Sequence, residues 1–78
     1  MTTNDIRVIR GNALRIIHEA AKIKDRKMRR DIGGEAAVIV HLCNCVITAS
    51  GEPDPLRGRL EGEGLFLRWH DDDPGEGA

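Results

Sequence analysis

Ile6, Ile9, Ala13, Ile16, Ile17, Ala20 and Ile23 recur at steps of three and four residues. That period stacks them on one face of a helix, and the rest of the chain has to cover the stripe they form. Arg7, Arg10, Asn12, Arg15, Glu19 and Lys22 fall on the opposite face. Thr2 followed by Asp5 fits a capping box, with an acid near the positive end of the helix. The spacing therefore predicts a helix over residues 4–23, and Gly11 inside it costs about 1 kcal/mol relative to Ala. The chain has 78 residues, enough for a single core. Trp69 and Phe66 are the only aromatic residues, so aliphatic side chains must build that core.

The next segment is basic. Lys22, Lys24, Arg26, Lys27, Arg29 and Arg30 are interrupted by Asp25 and Asp31. Met28 and Ile32 stand four apart, the smallest apolar stripe that docks a short helix on a core. Gly33-Gly34 predicts a turn after Ile32, because paired glycines disfavour helix interior. Residues 35–50 are ambiguous. Val38, Ile39, Val40, Val46 and Ile47 are β-branched and favour strand. Strict alternation fails, however, and His41, Asn44 and Thr48 repeat at a helical period. A helix would bury Ala36, Ile39, Val40, Cys43, Val46 and Ile47. It would turn Gly34, Ala37, Val38, His41, Asn44, Cys45 and Thr48 outward. Gly51 and Pro53 then fall where a helix stop is expected. Helix is the preferred reading, with a central strand over 38–48 as its competitor.

Leu56–Trp69 alternates, with Leu56, Gly58 and Leu60 on one arm and Leu65, Leu67 and Trp69 on the other. Gly62 and Gly64 lie between them, so a β-hairpin is expected. A strand through Leu60 followed by a short helix from Leu65 competes with it. Asp71–Ala78 is acidic, has no large apolar group, and is expected to be disordered.

Several classes of function drop out. The longest unbroken apolar run, Ala36–Val40, falls far short of the ~20 residues of a membrane span. No charged start leads into an apolar signal segment. Two cysteines do not make a disulfide scaffold. A soluble, cytoplasmic, non-enzymatic protein is the expectation, with no cofactor. The formal charge of −1 hides an asymmetry. Residues 1–39 hold nine Lys and Arg against five acids, and residues 40–78 hold three against eight.

The order of elements resembles a winged helix-turn-helix: long helix, short basic helix Arg26–Ile32, glycine turn, helix Glu35–Ser50, hairpin. His41-Leu42 through Ala49-Ser50-Gly51-Glu52 is similar to the "HL…L…G" end of many recognition helices in that family. Arg59-Leu60-Glu61-Gly62-Glu63-Gly64-Leu65 resembles the "L-T-x-x-G" phrase near the wing. The opening, from Thr3-Asn4-Asp5-Ile6-Arg7 to Arg10-Gly11-Asn12-Ala13-Leu14, looks like the start of small winged-helix proteins of Mu-like transposable phages. The resemblance implies a mainly α fold with a small β-hairpin over residues 4–70 and a non-enzymatic, DNA-binding transcriptional regulator. It implies double-stranded DNA as partner. Arg26, Lys27, Arg29 and Arg30 would lie over phosphates, His41 and Asn44 would face bases, and Arg57 and Arg59 would be wing contacts.

One departure points elsewhere. Residues 35–50 contain no Lys or Arg, whereas base readout normally uses such groups. Val38 and Cys45 on the outward face suit contact with another protein, or with a second copy of this chain. The alternative expectation is therefore a protein–protein interaction module of the same fold, and solvation alone equally accounts for the basic stretch. His41-Leu42-Cys43-Asn44-Cys45 gives no metal site by this reading. Two cysteines two residues apart on a helix point about 200° apart, and structural zinc needs four ligands. They read instead as small hydrophobes. With Thr48 and Ser50 as the only hydroxyl side chains after the first three residues, a nucleophilic triad has little to work with.

Overall fold

α1, Thr3–Ala20, begins where the capping box places it. Thr2 Oγ1 accepts from the Asp5 amide at 3.1 Å, and Asp5 Oδ2 accepts from the Thr2 amide at 2.9 Å. The computed structural model describes residues 1–65. α1 ends three residues before Ile23. Lys22 and Ile23 close the turn through amide bonds to the Glu19 and Ala20 carbonyls, both at 3.0 Å.

α2 runs unbroken from Arg26 to Ser50. The expected glycine turn does not form, and the short basic helix and the expected recognition helix are one element. Asp25 starts it by accepting from the Lys27 and Met28 amides at 2.9 and 3.2 Å. Gly33 and Gly34 cost helix propensity, about 1 kcal/mol each. The stripe Ala36, Val40, Cys43 and Ile47 repays that cost only if the helix continues, because all four are buried on α1. Gly33 also sits at a close approach, where an added Cβ would lie 3.9 Å from the Ala20 Cβ. Gly51, at φ 77°, ends α2 in the left-handed conformation that Gly adopts without strain.

The pairings Arg10 with Asn44 and Ala20 with Gly33 run in opposite directions along the two helices, so α1 and α2 form an antiparallel hairpin. Its seam is narrow, because Ala13, Ala20 and Ala36 let the backbones come close. This leaves the larger Ile9 and Ile16 at the flank, 37% and 43% exposed, although the period alone had placed them with the core.

The expected β-hairpin is overturned as well, and with it the winged helix-turn-helix fold. Among the described residues there is no strand, and Arg57–Gly62 form a short helix, α3. Leu56, Gly58 and Leu60 satisfy the two-residue period, but Leu56 and Leu60 also stand four apart, and burial of Leu60 needs no strand partner. Arg57 pairs with Glu61 at 3.0 Å and Arg59 with Glu63 at 3.2 Å, both at helical spacing. The glycines near the expected turn terminate this helix instead. Gly64 has φ 76°, and the Leu65 amide donates to the Leu60 carbonyl at 2.7 Å. Phe66 to Trp69, the outer arm of the expected hairpin, and the acidic tail over 71–78 lie outside the described residues.

Candidate interaction surface

The hairpin has two faces with different fates, and a buried arginine decides which is which. Arg10 was expected on the solvent side of α1, yet it is 1% exposed. Its guanidinium donates to Asp54 through Nη1 at 2.7 Å and Nη2 at 2.8 Å. Nη1 also donates to Asn44 Oδ1 at 2.7 Å. Asn44 Nδ2 in turn donates to the Leu65 carbonyl at 2.9 Å. Alongside, Arg7 donates to the Pro53 carbonyl at 2.8 Å and faces Glu52 at 3.5 Å. These bonds strap residues 52–65 across the end of the hairpin, where Arg59 and Leu60 of α3 share a groove with Leu14 and His18 of α1. The Arg10 hydrogen bonds hold the Asp54 carboxyl below its ordinary pKa, against the opposing effect of burial. The Asp54 side chain is only 7% exposed, so the pair is a desolvated one.

The other face has no cover among the described residues. Ile9 and Ile16 of α1 lie beside Met28, Ile32, Ile39, Leu42 and Val46 of α2, all at least a third exposed. Ile16, Ile32 and Ile39 line an apolar groove of about 310 Å³, which places the two helices' flanks on one side of the hairpin. Val38 and Cys45 are exposed further round α2, as their sequence positions implied. By length and hydropathy α2 is apolar enough to cross a membrane, a property that core helices share.

The expected DNA-contact residues do not gather into one surface. Arg26, Lys27, Arg29 and Arg30 share the first turns of α2. Lys27 pairs with Asp31 at 3.0 Å, and Arg29 turns inward to donate to the Ile23 carbonyl at 3.1 Å. Arg26 and Arg30 are exposed, with no ion pair among the described residues. His41 is half-buried and lies fifteen residues along the helix from Arg26, about 22 Å away at 1.5 Å per residue. Its ring Nε2 stands 3.8 Å from Cys45 Sγ. Asn44, expected to face outward, is fully buried in the Arg10 network. Arg57 and Arg59 sit on α3 and pair along it with Glu61 and Glu63, not on a wing.

Cys43 is buried and Cys45 exposed, on different sides of α2 as the helical geometry requires. Burial raises the Cys43 thiol pKa, with Arg10 pulling weakly the other way. Among the described residues no three His, Cys, Asp or Glu side chains gather to hold a metal ion. The sequence reading missed Arg10 and Asp54. Arg10 stands four after Ile6 and three before Ala13, which puts it beside the apolar stripe, but no signal in the sequence marked Asp54 as its partner. Compared with protein families, curated proteins and solved structures, the chain matches no family model, no curated protein and no solved structure.

Proposed function

We propose that this chain is a non-enzymatic interaction module that binds protein through the uncovered apolar face of its helical hairpin. One observation carries the reading: Met28, Ile32, Ile39, Leu42 and Val46 form an exposed stripe on α2, interrupted by Glu35 and flanked by Ile9 and Ile16. Scattered surface hydrophobes need no explanation, whereas an aligned stripe on so small a protein does. The Arg10–Asp54 strap covers the other flank at one end of the hairpin, whereas nothing among the described residues covers this stripe. A photo-crosslinking amino acid placed at Leu42 in the native cell tests this. Crosslinks to protein at Leu42, and none at the exposed Thr48 further round the helix, are the expected result. A Leu42 probe that captures no protein refutes the module.

A second reading rests on the hairpin turn. Lys24, Arg26 and Arg30 are exposed there without ion-pair partners among the described residues, and such a cluster suits the phosphates of nucleic acid. Under this reading the chain holds duplex DNA by its backbone, as a regulator without base readout through α2. Duplex DNA should then be retarded in a gel, with affinity falling steeply as salt rises. Absence of any shift at low salt removes it.

A further inference from the structure

Cys43 and Cys45 cannot share an ion, because Cys43 is buried against α1 and Cys45 is exposed. The fold pairs Cys45 with a different group. His41 Nε2 stands 3.8 Å from Cys45 Sγ, one turn along α2, with His41 half-buried and Cys45 open to solvent. Residues four apart share a helix face, and the side chain of the later one leans back toward the earlier. An imidazole nitrogen and a thiolate sulfur are ligands that zinc takes at about 2.0–2.1 and about 2.3 Å. At a tetrahedral angle those bond lengths set nitrogen and sulfur about 3.6 Å apart, within about 0.2 Å of the spacing here. The helix need not move for the two side chains to close on an ion.

We infer that His41 and Cys45 clasp one zinc-class divalent cation per chain, with water in its remaining positions. Imidazole with thiolate selects a borderline-soft ion, whereas magnesium and calcium take oxygen ligands. The surroundings on α2 suit a dication, because residues 35–50 hold no Lys or Arg to repel it. They also fix how many ligands the helix gives. Ala37 and Val38 precede His41 by one turn, and Thr48 and Ala49 follow Cys45 by one, so α2 brings no carboxylate and no further imidazole or thiol to the ion. A site with two protein ligands exchanges its ion readily and keeps positions open, unlike the closed four-ligand sites that hold a fold together. Without metal, the same spacing suits a weak thiol–imidazole hydrogen bond. On binding, the thiol proton passes to solvent and the ion takes its place. His41 and Cys45 belong neither to the stripe buried on α1 nor to the exposed one, so the clasp stands apart from the interaction-module reading.

The test titrates the reduced full chain with cobalt(II), which occupies zinc sites and reports sulfur ligation by a near-ultraviolet charge-transfer band. One ion per chain should bind, zinc should displace it, and magnesium should not. Cys45→Ser should remove the band. His41→Ala should weaken cobalt binding at least about tenfold, because one of two protein ligands is lost. Cys45→His should keep the binding without the sulfur band, since two imidazoles four apart preserve the clasp. Cys43→Ala should leave the band and the affinity unchanged. Cys45 is exposed, so Cys45→Ser and Cys45→His should keep the helical circular dichroism, and those two carry the test if His41→Ala loses it. A wild-type chain that shows no sulfur band at high cobalt overturns the inference. So does a band that survives Cys45→Ser or vanishes with Cys43→Ala. An affinity that a folded His41→Ala leaves unchanged also overturns it, because the thiol then binds alone. One ion for two chains overturns the open two-ligand site in favour of one closed by a second copy.

Discussion

Replacing Asp54 by Ala should remove a large fraction of the stability of this fold. A chain of 78 residues has about 4–12 kcal/mol to lose. Arg10 is 1% exposed and donates two of its hydrogen bonds to Asp54. Deleting one partner of a buried pair typically costs about 3–5 kcal/mol, because the remaining charge stays desolvated. The protein could let water reach Arg10 by releasing residues 52–65. That route forfeits the burial of Leu60, about 1.5–3 kcal/mol, and the bond from Asn44 to Leu65, about 1 kcal/mol. Release thus costs about as much as the buried charge, and either route should cost about 3 kcal/mol. Urea unfolding followed by circular dichroism, with amide exchange at Leu60, measures both. Lys27→Ala is the control, since it breaks an exposed pair worth under about 0.5 kcal/mol. An Asp54→Ala loss below about 1 kcal/mol, with Leu60 still protected, would mean that the strap contributes no more than a surface ion pair, and the reasoning would be refuted.

Acid should reproduce part of that loss. The folded-state pKa of Asp54 lies below the ordinary value of 3.8, so its contribution is present above 3.8 and is lost as pH falls through the lower, folded value. Urea midpoints measured downward from pH 6 should fall more steeply in this acid range for the wild type than for Asp54→Asn. Gly34→Ala should stabilise the protein by about 0.5–1 kcal/mol, because Gly34 lies inside α2 with open space around its Cα. A destabilised Gly34→Ala in thermal melts would reinstate a turn at that point. Gly51→Ala should cost about 1 kcal/mol by the same assay, since φ there is 77°.

Much of the local structure is legible in the chain. Thr2 and Asp5 announce the start of α1, Arg26 opens the second helical segment, and Gly51 marks where α2 stops. The misreadings share one cause. Gly33-Gly34 and the alternation around Leu60 are local signals, and each competes with a longer-range pattern at the same residues. The stripe of Met28 and Ile32 continues through Gly33-Gly34 into α2, and Leu56 with Leu60 fits a helix as well as a strand. Propensity at two glycines is worth about 2 kcal/mol, less than the burial of Val40 and Ile47 together.

The sequence by itself determined that apolar residues at helical spacing would build this protein, where its first helix is capped and where its second ends. It also determined the charge asymmetry, with bases before residue 40 and acids after it. Only the tertiary structure decided which of the two stripes on α2 is buried. Small residues at Ala13, Ala20, Gly33 and Ala36 bring the backbones together along one narrow line, and the larger Ile and Leu side chains beside it are left over. It likewise decided that Arg10 is a core residue, because a guanidinium can be buried only where a carboxylate from a distant segment meets it. No local pattern could pair Arg10 with Asp54, since the contact exists only once the chain has turned back on itself.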